Sequence, residues 1–203
     1  MVINEPRGPR IILASTSPRR RELLSQIGVR FEAIPSGASE EVDPSLTAEQ
    51  TVLVLAERKA AALGARYRDA LVVGGDTVIS LDGSVIGKPP TAEAAALMLR
   101  RMSGRAHQVV SGVALLWEEQ GVKDVFSVTT DVVFGQLSDQ MIARYVATGE
   151  PLDKAGGYAI QGAGALLVES VRGSYYNVVG LPLFELSQAL QRHLGDDVIL
   201  SNA

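Results

Sequence analysis

The chain has 203 residues, 46% of them hydrophobic and 21% charged, with a formal net charge of −4. These values describe a globular protein able to bury one large core or two tightly joined lobes, and the acidic balance argues against a general binder of nucleic acid or anionic membrane. The sequence holds no cysteine and two histidines, His107 and His193, which excludes disulfides and thiolate chemistry and leaves oxygen as the main ligand for any metal, favouring Mg²⁺ or Mn²⁺.

Ile11-Ile12-Leu13-Ala14 is an unbroken apolar run and predicts a buried strand. Ser17-Pro18 then opens a helix, with Ser17 as N-cap and Pro18 at its first position, and Gly28 closes it. A strand over residues 29–34 and an acidic loop come next. Thr47-x-x-Gln50 reads as a capping box for a helix that runs to Leu63, with Gly64 as its stop. Leu71-Val72-Val73 predicts a second buried strand, and Asp82-Gly83 a tight hairpin turn. Thr91 caps a helix ended by Gly104. Residues 109–117 and 122–134 form a long hairpin, Ser138 caps a helix ended by Gly149, and Pro182 opens a C-terminal helix after one or two strands. The pattern is that of an α/β protein with a mixed sheet. No apolar run approaches the roughly 18 residues of a membrane span, and residues 1–10 have no signal-peptide apolar stretch, so a cytoplasmic protein is expected.

Several residues break local rules. Arg19-Arg20-Arg21 stand in the first turn of a helix, where the macrodipole favours anions. A bound phosphate would resolve that conflict, and solvated side chains are the alternative. Lys59 falls on the apolar face of its helix with Val52, Leu55, Ala56 and Leu63, so it either snorkels or has an anionic partner in a cleft. Asp76 follows a buried run and Gly74-Gly75, which places it at a strand end where backbone can approach a ligand. A carboxylate there can bind a metal or take a proton from water, though a turn-capping aspartate is the plainer reading. Glu40-Glu41, with Asp43, and Lys88 add further charge. Together these groups have the composition that a metal–triphosphate site needs. No Walker-type loop is present, Gly162-Ala163-Gly164 lacks dinucleotide spacing, and no motif places a histidine beside Ser15 or Ser17.

Ala14-Ser15-Thr16-Ser17-Pro18-Arg19-Arg20, Gly75-Asp76-Thr77, Gly87-Lys88-Pro89, the segment 150–162 and the segment 173–182 occur in that order. This set resembles the Maf family of nucleoside triphosphate pyrophosphatases, over about residues 10–195. The resemblance implies one α/β domain over 10–195, with terminal extensions 1–9 and 196–203. It implies a long mixed sheet and two lobes around a cleft, related to the inosine triphosphatase-like fold. The activity implied is hydrolysis of a nucleoside triphosphate to the monophosphate and pyrophosphate, with Mg²⁺ or Mn²⁺.

By the same resemblance, Asp76 is the proton acceptor and a metal ligand. Ser15, Arg19, Arg20, Glu40, Lys59 and Lys88 handle phosphate and metal, with Glu41 or Asp43 as alternatives to Glu40. Arg19, Thr77 and Gln161 belong to base selection, in a combination similar to the branch acting on dTTP and UTP. The family often has alanine where this chain has Gly75. A homodimer is also implied, without stable binding of nucleic acid or membrane. A nucleotide-binding regulator and a pyrophosphatase for modified pyrimidine nucleotides are the rival expectations.

Overall fold

The computed structural model describes residues 9–200; the expected extensions lie outside them except at Pro9 and at 196–200, as does most of the stretch 1–10 read for a signal peptide. Seven strands form one mixed sheet: β1 (Ile11–Leu13), β2 (Glu32–Ala33), β3 (Leu71–Leu81), β4 (Ser84–Ile86), β5 (Ala106–Trp117), β6 (Val122–Phe134) and β7 (Val168–Arg172). Among the described residues six α-helices flank it: α1 (Pro18–Gln26), α2 (Ala48–Gly64), α3 (Ala92–Met102), α4 (Asp139–Val146), α5 (Tyr175–Val179) and α6 (Leu183–Leu194). The order β2-β1-β3-β5-β6-β7 combines a parallel edge with an antiparallel centre, and β4 pairs with β3 off this path. No helix among the described residues is long and apolar enough to cross a membrane.

Local signals set most of these elements. Ser17 caps α1 by accepting from the Arg20 N–H, and Thr47 and Gln50 form the reciprocal capping box of α2. Asp82 and Gly83 both have positive φ, 54° and 77°, as a two-residue hairpin turn between β3 and β4 requires. The β5–β6 hairpin keeps an unbroken register from Ala106↔Val133 to Trp117↔Val122.

The pairing leaves one feature of functional weight. Strand β1 pairs with β3 only at residues 71–73, and β4 only at 79–81, on the side away from β5. Residues 74–78 of β3 therefore have no strand partner on that side. On one side of this gap a core gathers Leu13, Leu24, Val73, Leu181 and Leu186. On the other a second core gathers Leu81, Leu99, Met102, Phe134 and Ile142. These are the two lobes expected, joined through the continuous β3–β5–β6 ribbon.

Helix α2 covers one face of that ribbon. A Cβ at Gly74 would lie 2.2 Å from the Ala56 carbonyl oxygen, and one at Gly112 would lie 2.3 Å from that of Val52. Both glycines are required by the close approach of a helix backbone to the sheet.

Three expectations need correction. Asp76 lies mid-strand rather than at a strand end, because Gly74-Gly75 do not break β3 but admit α2 against it. The strand expected over 29–34 shrinks to β2, since three-residue β1 offers an edge strand little to pair with. Gly64 is the last residue of α2, and Ala65 caps it in right-handed helical geometry. In addition, α5 forms before Pro182 where only one or two strands were expected, started by Ser174, whose hydroxyl accepts the Asn177 N–H.

Candidate active site

The unpaired stretch of β3 opens into a cleft of about 460 Å³. Strand alternation divides its side chains between two faces. Gly74 and Asp76 point toward α2, while Gly75 and Thr77 point toward α1 and α5. The cleft wraps around the strand edge and takes groups from both faces.

On the α2 face, Lys59 is the hub. It lies on the packed side of α2, 8% exposed, and its Nζ donates to Asp76 Oδ1 and to Glu40 Oε1, at 2.7 Å in each case. The Lys59 and Asp76 side chains are both nearly buried, whereas that of Glu40 is 70% exposed. Glu40 comes from the loop before α2, whose backbone is held by Arg58: Nη1 donates to the carbonyls of Ser39 (2.9 Å) and Glu41 (2.6 Å). The Lys59 hydrogen bond and charge hold the Glu40 carboxyl below its ordinary range, with Lys88 and Arg20 adding to the effect against a smaller opposing contribution from burial.

The alternatives to Glu40 are placed differently. Asp43 accepts from the N–H (2.8 Å) and hydroxyl (2.7 Å) of Ser45 within its own turn, and neither it nor Glu41 lines the cleft.

On the opposite face, Arg20 reaches back over Gly75. Its Nε donates to the Gly180 carbonyl at 2.9 Å and its Nη2 to Thr77 Oγ1 at 3.1 Å. Thr77 Oγ1 lies 2.8 Å from Ser111 Oγ, and Ser111 donates to the Asn177 carbonyl at 3.3 Å. Asn177 is fully buried and donates from Nδ2 to the Val109 carbonyl and to Thr130 Oγ1, at 3.0 Å each. A polar chain thus runs from the sheet interior to the Arg20 guanidinium. Burial pulls Arg20 below its ordinary value, Asp76 and Glu40 oppose that, and Arg19 reinforces it.

The rim carries the remaining groups. Arg19, Lys88 and Gln161 line the cleft, Lys88 and Gln161 being exposed. Ser15 does not line it; its Oγ accepts the Ser17 N–H at 3.1 Å and so shapes the turn into α1, while Ser17 itself lines the cleft. Of the three arginines, Arg21 points away. Sequence reasoning missed the Asp153–Lys154 ion pair and the Gly180 carbonyl, all at the cleft. The two charged residues stand inside the segment 150–162 already singled out by its motif, whereas a backbone carbonyl leaves no sequence signal.

Among the described residues no three His, Cys, Asp or Glu side chains converge to hold a metal alone. Glu40 and Asp76 each keep one carboxylate oxygen that Lys59 does not engage. Such a donor pair suits a hard divalent cation completed by phosphate oxygens.

Comparisons with known proteins agree with this architecture. The dTTP/UTP pyrophosphatase of Shigella sonnei is 50% identical over 181 residues, covering 89% of this chain and 91% of that protein. That of Moorella thermoacetica is 49% identical, covering 89% and 93%. That of Caldicellulosiruptor saccharolyticus is 43% identical over 194 residues, covering 94% and 97%. The family model described as Maf-like protein matches residues 10–193. The chain belongs to the Maf family.

Proposed function

We propose that this chain, as one domain over 10–195, is a cytoplasmic dTTP and UTP pyrophosphatase that releases the nucleoside monophosphate and pyrophosphate. The observation that carries the reading is the Lys59 hub: one buried ammonium holds a strand carboxylate and a loop carboxylate at the open edge of β3, inside a cleft rimmed by Arg19, Arg20 and Lys88. The names of its relatives support the same chemistry.

Asp76 accepts the proton of the water that attacks the α-phosphorus. Lys59 orients that carboxylate, and Arg19, Arg20 and Lys88 take up charge growing on the departing pyrophosphate. Glu40 and Asp76 are the residues that hold a divalent cation, Mg²⁺ or Mn²⁺, which when bound neutralises phosphate charge and acidifies water.

The base lies on the Thr77 face. Gln161 presents both a donor and an acceptor, as an edge with a carbonyl beside an N–H requires. Uracil and thymine share that edge and differ by one methyl group, worth about 1–3 kcal/mol of discrimination, so both are accepted.

The test is a panel of common nucleoside triphosphates with Mg²⁺ or Mn²⁺, assayed for pyrophosphate and monophosphate. Turnover of dTTP and UTP that is lost in Asp76→Asn is the expected result. Preferred purine turnover, or an Asp76→Asn variant near wild type, would overturn the assignment.

A further inference from the structure

Residues 158–162, which carry Gln161, form no helix or strand and lead into a short 3₁₀ helix at Ala163–Leu167, yet both ends of this stretch are tied to one side-chain pair outside the cleft. Tyr145, in α4, accepts the Ala159 N–H at 3.3 Å and donates its hydroxyl to Glu150 Oε1 at 2.8 Å. The same Oε1 accepts the Gly164 N–H at 3.1 Å, and Oε2 accepts the Ala163 N–H at 3.0 Å. Between these anchors stand Ile160, Gln161 and Gly162. Ala159, Ile160 and Gln161 line the cleft, whereas Tyr145 and Glu150 do not.

The clamp is built to be rigid. Bonds from backbone N–H groups to a carboxylate are stronger than neutral ones. Burial pushes the Glu150 carboxyl up, but the Tyr145 hydroxyl and the two N–H groups outweigh it and keep the group below its ordinary value. The loop also passes close over the carboxylate: a Cβ at Gly162 would lie 2.2 Å from Oε2, and one at Gly164 would lie 2.8 Å from the Tyr145 hydroxyl. Gln161 itself is exposed, and its amide has no hydrogen-bond partner among the described residues. A long free side chain on an unsupported loop would present its amide in many positions, and displacement of about 1 Å at a binding group is enough to lose most of its effect.

We propose that Tyr145 and Glu150 are positioning residues for nucleobase selection: they fix residues 159–164 so that the Gln161 amide meets the base edge in one orientation. This rests on the substrate reading above, and it assigns base selectivity to two residues that touch no substrate.

The test compares kcat and KM for UTP and CTP in wild type, Glu150→Gln, Gln161→Ala and the double variant. Tyr145→Phe serves as the milder change, and melting temperature as the fold control. In Glu150→Gln an amide N–H₂ must face a donor, so at least one anchor is lost. The UTP-to-CTP ratio of kcat/KM is expected to fall about tenfold through KM for UTP, and the double variant to match Gln161→Ala alone. An unchanged ratio, or a double variant that loses selectivity beyond Gln161→Ala, would overturn the proposal. Amide hydrogen exchange supplies a readout that needs no turnover: faster exchange at Ala163 and Gly164 in Glu150→Gln is expected, and unchanged exchange there overturns the clamp. A wild type that prefers another base would defeat the substrate reading alone, and the ratio is then taken for that base.

Discussion

Lys59 Nζ donates to Asp76 on the sheet and to Glu40 on a loop, at the same 2.7 Å. One buried cation therefore sets the separation of two carboxylates that come from different elements. Replacing it with a side chain of similar length but no charge, in Lys59→Met, leaves Asp76 nearly buried without its partner and frees the Glu40 loop at its side-chain anchor. We expect kcat/KM to fall by about 100-fold or more, the scale on which a charge-orienting group contributes. Glu40, held low chiefly by Lys59, should titrate closer to its ordinary value, as carboxyl NMR shifts would show. A variant that retains wild-type turnover would mean that the hub is structural only.

The position of Lys59 depends in turn on how closely α2 lies against β3. In Gly74→Ala the added methyl meets the Ala56 carbonyl oxygen and the Ala60 nitrogen, at 2.2 and 2.8 Å, and both are backbone atoms that cannot rotate aside. Overpacking of this kind costs about 1–3 kcal/mol, or roughly 2–12 °C in melting temperature for a chain of this size. Activity should fall beyond what the lost stability explains, because the shift carries Lys59 away from Asp76. Calorimetry with assays well below the melting point separates the two effects. An unchanged melting temperature would show that α2 has room the structure does not reveal.

Local chemistry made much of this arrangement legible in the sequence. The capping box at Thr47 and Gln50, the Asp82-Gly83 turn and the N-cap at Ser17 act within a few residues, and each appears where expected. Lys59 was conspicuous because a cation on an apolar helix face demands an anion. Its partners were not, since nothing local brings Glu40, Lys59 and Asp76 together. Asp76 was placed at a strand end because two glycines usually interrupt a strand. Here their reason is tertiary, the approach of α2. Helix α5 escaped notice because Val178 and Val179 favour strands, while the bonds of Asn177 to Val109 and Thr130 that hold it come from distant β5 and β6.

His107 gives a pH prediction. It is 3% exposed, its Nε2 lies 2.8 Å from the Tyr158 hydroxyl, and burial pulls it from 6.5 down to about 4. Between those values the unfolded chain binds a proton that the folded one refuses. This contribution to stability is thus complete above about pH 6.5 and is lost as pH falls toward 4, amounting to roughly 3 kcal/mol. His107→Gln keeps a polar partner for Tyr158 but does not titrate. Urea unfolding at pH 7 and pH 4.5 should show a smaller acid loss in the variant than in wild type. Equal losses would assign acid sensitivity to other groups.

The two faces of β3 can be separated by a substitution on the side opposite Asp76. Thr77 Oγ1 accepts from Arg20 Nη2 at 3.1 Å and lies 2.8 Å from Ser111 Oγ. Thr77→Val keeps the β-branched shape that suits the strand but leaves both of those groups short of a partner, at a cost of about 1–3 kcal/mol. Thr77→Ser returns the hydroxyl and should recover most of the loss. Arg20 keeps its Nε bond to the Gly180 carbonyl in that variant, and with it its place beside the departing pyrophosphate, so if the base lies on this face Thr77→Val raises KM for dTTP and UTP while kcat stays within about threefold, the pattern of lost uniform binding. Lys59→Met should do the reverse and act mainly on kcat. A Thr77→Val variant that lost kcat as Lys59→Met does, with KM unmoved, would place the reacting phosphate within reach of both faces and remove the division of labour across the strand edge.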